Sequence, residues 1–247
     1  MPGSRLLVRR RLHAAFDQDG PLVFAQTAWT VFRKDVVVEV RSRELVATTM
    51  FFALSVVIVF AVALVREGRV VADAAAGILW IAIAFAGTLA LGRTFERERY
   101  TDTLRALLLA PAPRAAVYVG KLLGVVAVLL LVELLLVPLV ALLFDAALLG
   151  RPALLAGLLV AGTVGFASVG TLFAAMLVRA RSRDVLLPVL LYPITIPVII
   201  AGVRGTAAIL QPVPDEPMAT FWLMLLAAFD TVFVTVALWT FDPLMTD

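Results

Sequence analysis

Six long apolar blocks alternate with short polar stretches along the chain, over residues 46–65, 72–92, 122–144, 153–178, 185–203 and 219–241. A helix needs about 20 apolar residues to cross a hydrocarbon core of roughly 30 Å, and each block is near that length. Within lipid every backbone amide must bond inside its own segment, which predicts helices. The blocks are continuous rather than alternating, so they do not read as barrel strands. Residues 26–44 carry a different pattern. Trp29, Phe32, Val36 and Val40 recur at three- and four-residue steps, while Arg33, Lys34, Glu39, Arg41, Arg43 and Glu44 take much of the other side. That pattern predicts an amphipathic helix in the membrane interface, apolar face at the acyl boundary and basic groups on lipid phosphates. The expected fold is an all-α membrane protein. A basic tail (1–25) and an interfacial helix (26–44) precede a six-span domain (45–241), and a short tail (242–247) follows.

Composition agrees with this pattern. The chain of 247 residues is 62% hydrophobic and 16% charged, with a mean hydropathy of +1.03. Soluble domains carry about 25% charged residues. Cysteine is absent, which removes disulfide and thiol chemistry, and the one histidine is His13 in the tail. Arg5, Arg9, Arg10 and Arg11 are followed by no apolar run of signal-peptide length, so the tail is not read as a cleaved signal. The net charge of +3 says less than its distribution. Seventeen of the twenty-one Lys and Arg residues fall in the tail and first helix, the 93–121 loop and the 179–184 loop. Arg66, Arg69, Arg151 and Arg204 fall on the other side. The positive-inside rule places the first set, and with it both termini, in the cytoplasm.

The longest polar interruption runs from residue 92 to 121 and holds six basic residues. Inside it, Leu104, Leu107 and Leu108 recur at helical spacing, and Pro111 and Pro113 stop the helix they predict. In the fifth span, Pro188, Pro193 and Pro197 predict a kinked or partly unwound helix. Gly162, Gly165 and Gly170 in the fourth span predict close helix approach. Glu133 and Asp230 each stand twelfth of twenty-three residues in their spans, so both fall near the midplane. A carboxylate there costs roughly 2.5–3.5 kcal/mol on insertion scales, so neither should face lipid. One reading has them line a polar groove or a subunit contact. The other has each protonated and bonded to a neighbouring helix.

No phosphate-binding G-x-x-x-x-G-K-[ST] loop is present, so ATP hydrolysis is not expected of this chain. Neither H-E-x-x-H nor a Cys/His metal cluster occurs, and the spans hold no histidine to ligate haem.

Three stretches resemble the CcmB family, ABC-transporter permeases of cytochrome c maturation. The first runs from Arg33-Lys34-Asp35 through Glu39 and Glu44 to Phe51-Phe52-Ala53 and Phe60-Ala61. The second is Phe95-Glu96-Arg97-Glu98 with Leu104, Leu107, Pro111, Pro113 and Lys121. The third comprises Gly162 to Gly165, Gly170 to Ala174, Arg179-Ala180-Arg181, Leu187-Pro188, Pro193 and Ile196-Pro197. Thr103 stands where the family usually has glycine. The resemblance implies an inner-membrane permease that is not itself an enzyme. It implies a coupling helix that docks on a separate CcmA-type ATPase through Phe95, Arg97, Arg99, Leu104, Arg105, Leu107 and Leu108. Further implied partners are CcmC- and CcmD-type membrane proteins, the haem chaperone CcmE, a second copy of the chain and the lipid bilayer, with no nucleic acid. No cofactor is expected on the chain itself, since ATP and haem would act through partners.

Two other readings compete. An ABC-2 type exporter permease for a lipid or other hydrophobic substrate would share the interfacial helix, the six spans and the loop helix. A scaffold or membrane enzyme would draw on the midplane acids but lacks a catalytic constellation. The topology has a direct check. Cysteines placed singly at Arg69 and Arg97 should react with impermeant reagent from opposite sides of the membrane, and labelling from one side would end the six-span reading.

Overall fold

A computed structural model describes residues 20–66, 69–70, 74–94, 113–180 and 182–244. Helix α1 (Pro21–Ser42) begins on a proline at a position where the missing amide costs nothing, five residues earlier than the pattern suggested. It ends at Arg43, whose φ of 54° lies in the left-handed region. The Arg43 amide closes on the Glu39 carbonyl at 2.6 Å. Helix α2 (Glu44–Ala63) starts at the next residue. The Glu39 carboxylate accepts from the Val46 amide at 2.8 Å, which fastens this sharp joint. A two-residue antiparallel pair follows, Val65–Arg66 against Arg69–Val70.

The remaining spans are α3 (Ala75–Thr94), α4 (Arg114–Phe144), α5 (Pro152–Met176), α6 (Arg183–Leu210) and α7 (Glu216–Leu244). With α2 they make six helices long and apolar enough to cross a membrane. At the far end, Asp145 (φ 50°) closes α4, and a short 3-10 turn at Leu148–Gly150 leads into α5. There Arg151 Nε meets Glu216 Oε1 at 2.5 Å, tying the start of α5 to that of α7.

Helix α3 is the centre. It packs on α2, α4, α5 and α6, and 67% of its most apolar window is buried, against 11% for the last span. Trp80 explains how neighbours close on it. A Cβ on Gly162 of α5 would lie 2.2 Å from the indole, and one on Gly202 of α6 would lie 2.3 Å from it. The ring therefore fills the space that two missing side chains leave, and its Nε1 donates to Thr206 Oγ1 at 2.9 Å. That bond removes the penalty of an unpaired indole N–H in a dry core.

Several expectations change. The fifth span is not unwound: α6 runs unbroken through Pro188, Pro193 and Pro197. Leu187, Leu191, Thr195 and Val198 bury its other side, while Pro193 and Pro197 face outward, so the lost donors lie away from the packed face. The same helix reaches Leu210, so Arg204 sits on its last turns rather than in a loop. The third span begins at Arg114 rather than residue 122, which places Lys121 inside a helix. The interfacial helix buries Ala28 and Val31 against α4, while Trp29 and Val40 are exposed. Phe95, Arg97, Arg99, Leu104, Arg105, Leu107 and Leu108, and the tail with His13, lie outside the described residues.

Candidate functional site

Polar side chains gather at two levels. The first is the midplane. Glu133 of α4 is 2% exposed, and its Oε1 accepts a short hydrogen bond from Thr163 Oγ1 of α5. Its second oxygen finds no hydrogen-bond partner among the described residues. Asp230 of α7 reaches the same helix. A Cβ on Gly165 would lie 2.6 Å from Asp230 Oδ1, with Phe229 and Val198 at 3.3 Å. Glycine at 165 is thus what admits the carboxyl. Thr163 and Gly165 are about 3 Å apart along the α5 axis and point to different faces. The two acids therefore reach one helix from two sides at nearly one level. The geometry brings each to α5 rather than to the other.

The second level is the end of the bundle where α1 lies. Gly120 and Gly124 of α4 are one helical turn apart and form a shallow groove for α1. A Cβ on Gly120 would strike the Ala28 carbonyl and the Val31 side chain at 2.7 Å, and one on Gly124 would lie 3.9 Å from Asp35. Between the two glycines, Lys121 is 3% exposed, with its ammonium 2.9 Å from Asp35 Oδ2. Lys34 approaches the other Asp35 oxygen at 3.0 Å. The Lys121 ammonium also donates to the Thr94 carbonyl at 3.4 Å. Arg183 of α6 donates to the Leu91 and Gly92 carbonyls at 3.2 and 2.5 Å. Two buried cations thus serve the C-terminal carbonyls of α3, where the helix dipole is negative. At the surface Arg93 pairs with Glu44 at 2.9 Å, a contact of small energetic weight given its exposure.

Sequence reasoning finds the two acids, notes Thr163 only among the small residues of the fourth span and not as the partner of Glu133, and places Lys121 among loop charges. The Gly120-x-x-x-Gly124 spacing around Lys121, with Asp35 on the adjoining amphipathic helix, was the available signal. Pro188, Pro193 and Pro197 are brought to no polar cluster. Among the described residues, no three His, Cys, Asp or Glu side chains come together as a metal site.

These features define a multi-pass, all-α membrane protein with its N-terminal helix α1 packed along its third span. The family model described as "CcmB protein" matches residues 26–243, which takes in most of α1 and the six spans. The chain belongs to the CcmB family. Among its relatives is "Heme exporter protein B" of Pseudomonas aeruginosa, 30% identical over 207 residues, 84% of this chain and 88% of that protein. The protein of that name in Rhodobacter capsulatus is 33% identical over 159 residues, 62% of this chain and 72% of the relative. The one in Escherichia coli K12 is 31% identical over 96 residues, 39% of this chain and 44% of the relative.

The Glu133–Thr163 contact yields a quantitative expectation. Thr163→Val removes the donor and leaves a buried carboxyl without it, which should cost about 1–3 kcal/mol. Thermal unfolding in detergent should show the loss, and adding Glu133→Leu should restore most of it. A Thr163→Val protein as stable as the parent would mean the bond carries no weight.

Proposed function

We propose that this chain is the membrane subunit of an ABC transporter complex of cytochrome c maturation, in the inner membrane with both termini cytoplasmic. It holds a separate CcmA-type ATPase through the 93–121 segment. It works beside CcmC- and CcmD-type proteins, and ATP hydrolysis serves haem delivery or the release of haem-loaded CcmE on the outer side. The observation that carries this reading is the anchoring of both ends of that segment. Thr94, the last residue of α3, and Lys121, two turns into α4, are joined by a hydrogen bond from the buried Lys121 ammonium, which also pairs with the partly exposed Asp35. A force applied to the segment therefore meets a fixed base. The family match from residue 26 to 243 supplies the class.

Within the segment, Leu104, Leu107 and Leu108 act as apolar anchors on the ATPase. Phe95 flanks them, and Arg97, Arg99 and Arg105 form a polar rim that guides approach more than it adds affinity. Helices shorter than about 12–15 residues are marginal alone in water, so these leucines need a partner surface. Glu133 and Asp230 serve as intramembrane polar contacts. Haem acts through the partner proteins, and His13 takes no part in binding it.

A second copy of the chain covers the outward face of α6. Pro193 and Pro197 lie on that face, and each removes the amide donor for the carbonyl four residues earlier. Backbone carbonyls without donors are tolerated at membrane depth where protein, not lipid, lies against them. Ile196, between the two prolines, is 49% exposed and would sit in that contact.

Two experiments follow. Leu107→Asp should leave the chain inserted but abolish copurification of the ATPase, because a carboxylate buried without a partner costs several kcal/mol. ATPase retained at parental level would remove the segment from the coupling role. Ile196→Cys, treated in membranes with a short bis-thiol crosslinker, should give a homodimer, whereas the same treatment of Trp239→Cys, 83% exposed on α7, should leave monomer. The reverse pattern would assign the second copy to another face.

A further inference from the structure

We infer that Lys121 is a positioning residue that joins three elements into one mechanical unit: the interfacial helix, the exit of α3 and the entry of α4. The inference rests on the ATPase-coupling role proposed for the 93–121 segment. Three observations meet at this ammonium. It pairs with Asp35 of α1 at 2.9 Å, it donates to the Thr94 carbonyl at 3.4 Å, and its own residue is 3% exposed. Its neighbours Gly120 and Gly124 let α1 approach until the Ala28 carbonyl fills the space of a side chain. The contact is therefore close packing around a buried charge, not a loose surface pair.

Geometry gives the consequence. Thr94 is the residue from which the segment leaves, so a pull on the segment is applied first to that carbonyl. Lys121 donates both to this carbonyl and to Asp35. Displacing Thr94 therefore loads the Asp35 contact and, through it, α1. Arg183 holds the Leu91 and Gly92 carbonyls from the α6 side, so the end of α3 cannot yield by fraying. At its other end α1 turns into α2 through the left-handed Arg43, with Glu39 bonded to the Val46 amide. A movement of α1 thus reaches the first span with no flexible linker between. In this arrangement the interfacial helix is a driven part, and lipid anchoring is not its main task.

The test uses the whole complex with its ATPase in nanodiscs. Removing one charge alone leaves the other in a low-dielectric contact, so the decisive variant is the double Asp35→Asn, Lys121→Gln, which removes both together. Lys121→Arg, which keeps a cation and its donors, is the conservative control. Spin labels on Val40→Cys and Leu142→Cys, both exposed and at opposite ends of the bundle, report the position of α1 by electron-electron dipolar spectroscopy. In the parent and in Lys121→Arg, trapping the ATPase with vanadate should shift the distance. In the double variant the ATPase should still copurify and hydrolyse ATP, but the vanadate-dependent shift and the coupled maturation activity should be lost. A double variant that keeps the shift, or a parent that shows none while its ATPase is bound, overturns the inference and leaves the coupling role standing. Failure of the parent to bind any ATPase overturns the coupling role itself.

Discussion

The insertion of Trp80 between Gly162 and Gly202 sets the spacing on which the bundle depends. An indole is too large to sit between two helices at ordinary separation unless both give up their side chains at the contact. Here they do, and a Cβ on either would overlap the ring by more than 1 Å relative to normal contact. The indole N–H also needs an acceptor, because the interior offers no water, and Thr206 provides it at 2.9 Å. Helices α5 and α6 close on α3 for this reason, and α7 is left as the least buried of the spans. In lipid no hydrophobic force drives one apolar helix onto another, so such shape matching, with a few hydrogen bonds, must supply the cohesion.

That explains what could be read from the chain and what could not. The number of spans was legible, because length and apolarity are properties of a segment alone. Their faces were not. A span that is apolar all round carries no moment to separate its packed side from its lipid side. Trp80 gives no signal as a keystone, and of the two glycines it meets only Gly162 stands out in the sequence, with Gly165 and Gly170. Those glycines do not chiefly bring backbones together: Gly162 receives Trp80, Gly170 receives Leu91 and Gly165 receives Asp230. The prolines of the fifth span do not unwind it. Their effect depends on which side of the helix loses its donors, and that side is fixed only by packing.

Lys121 shows a second limit. A lysine beside an apolar block normally marks the membrane interface, and it was counted that way. Its burial depends on Asp35, 86 residues earlier in the chain, and on two glycines that flank it. Neither condition is visible in the local pattern. Burial of such a pair is weak grounds for stability, since desolvation offsets much of the attraction. What the pair fixes is geometry: a buried ammonium that meets both the Asp35 carboxylate and the Thr94 carbonyl has few alternative arrangements.

The midplane acids constrain a different motion. Glu133 and Asp230 both lean on α5, at levels only about 3 Å apart along its axis. Thr163, which serves Glu133, and Gly165, which makes room for Asp230, are separated by about 200° around the helix. Rotating α5 by one residue would therefore disturb both at once. It would withdraw the donor from Glu133 and drive a side chain into Asp230. Two costly groups keyed to opposite sides of one helix lock its rotation more firmly than two groups on the same side. A bundle built this way moves most easily where its polar contacts are not shared across α5. At the α1 end the contacts of Lys121, Asp35 and Arg183 join α1, α3, α4 and α6, and the Tyr118 hydroxyl, donating to the Ser168 carbonyl at 3.0 Å, still ties α4 to α5.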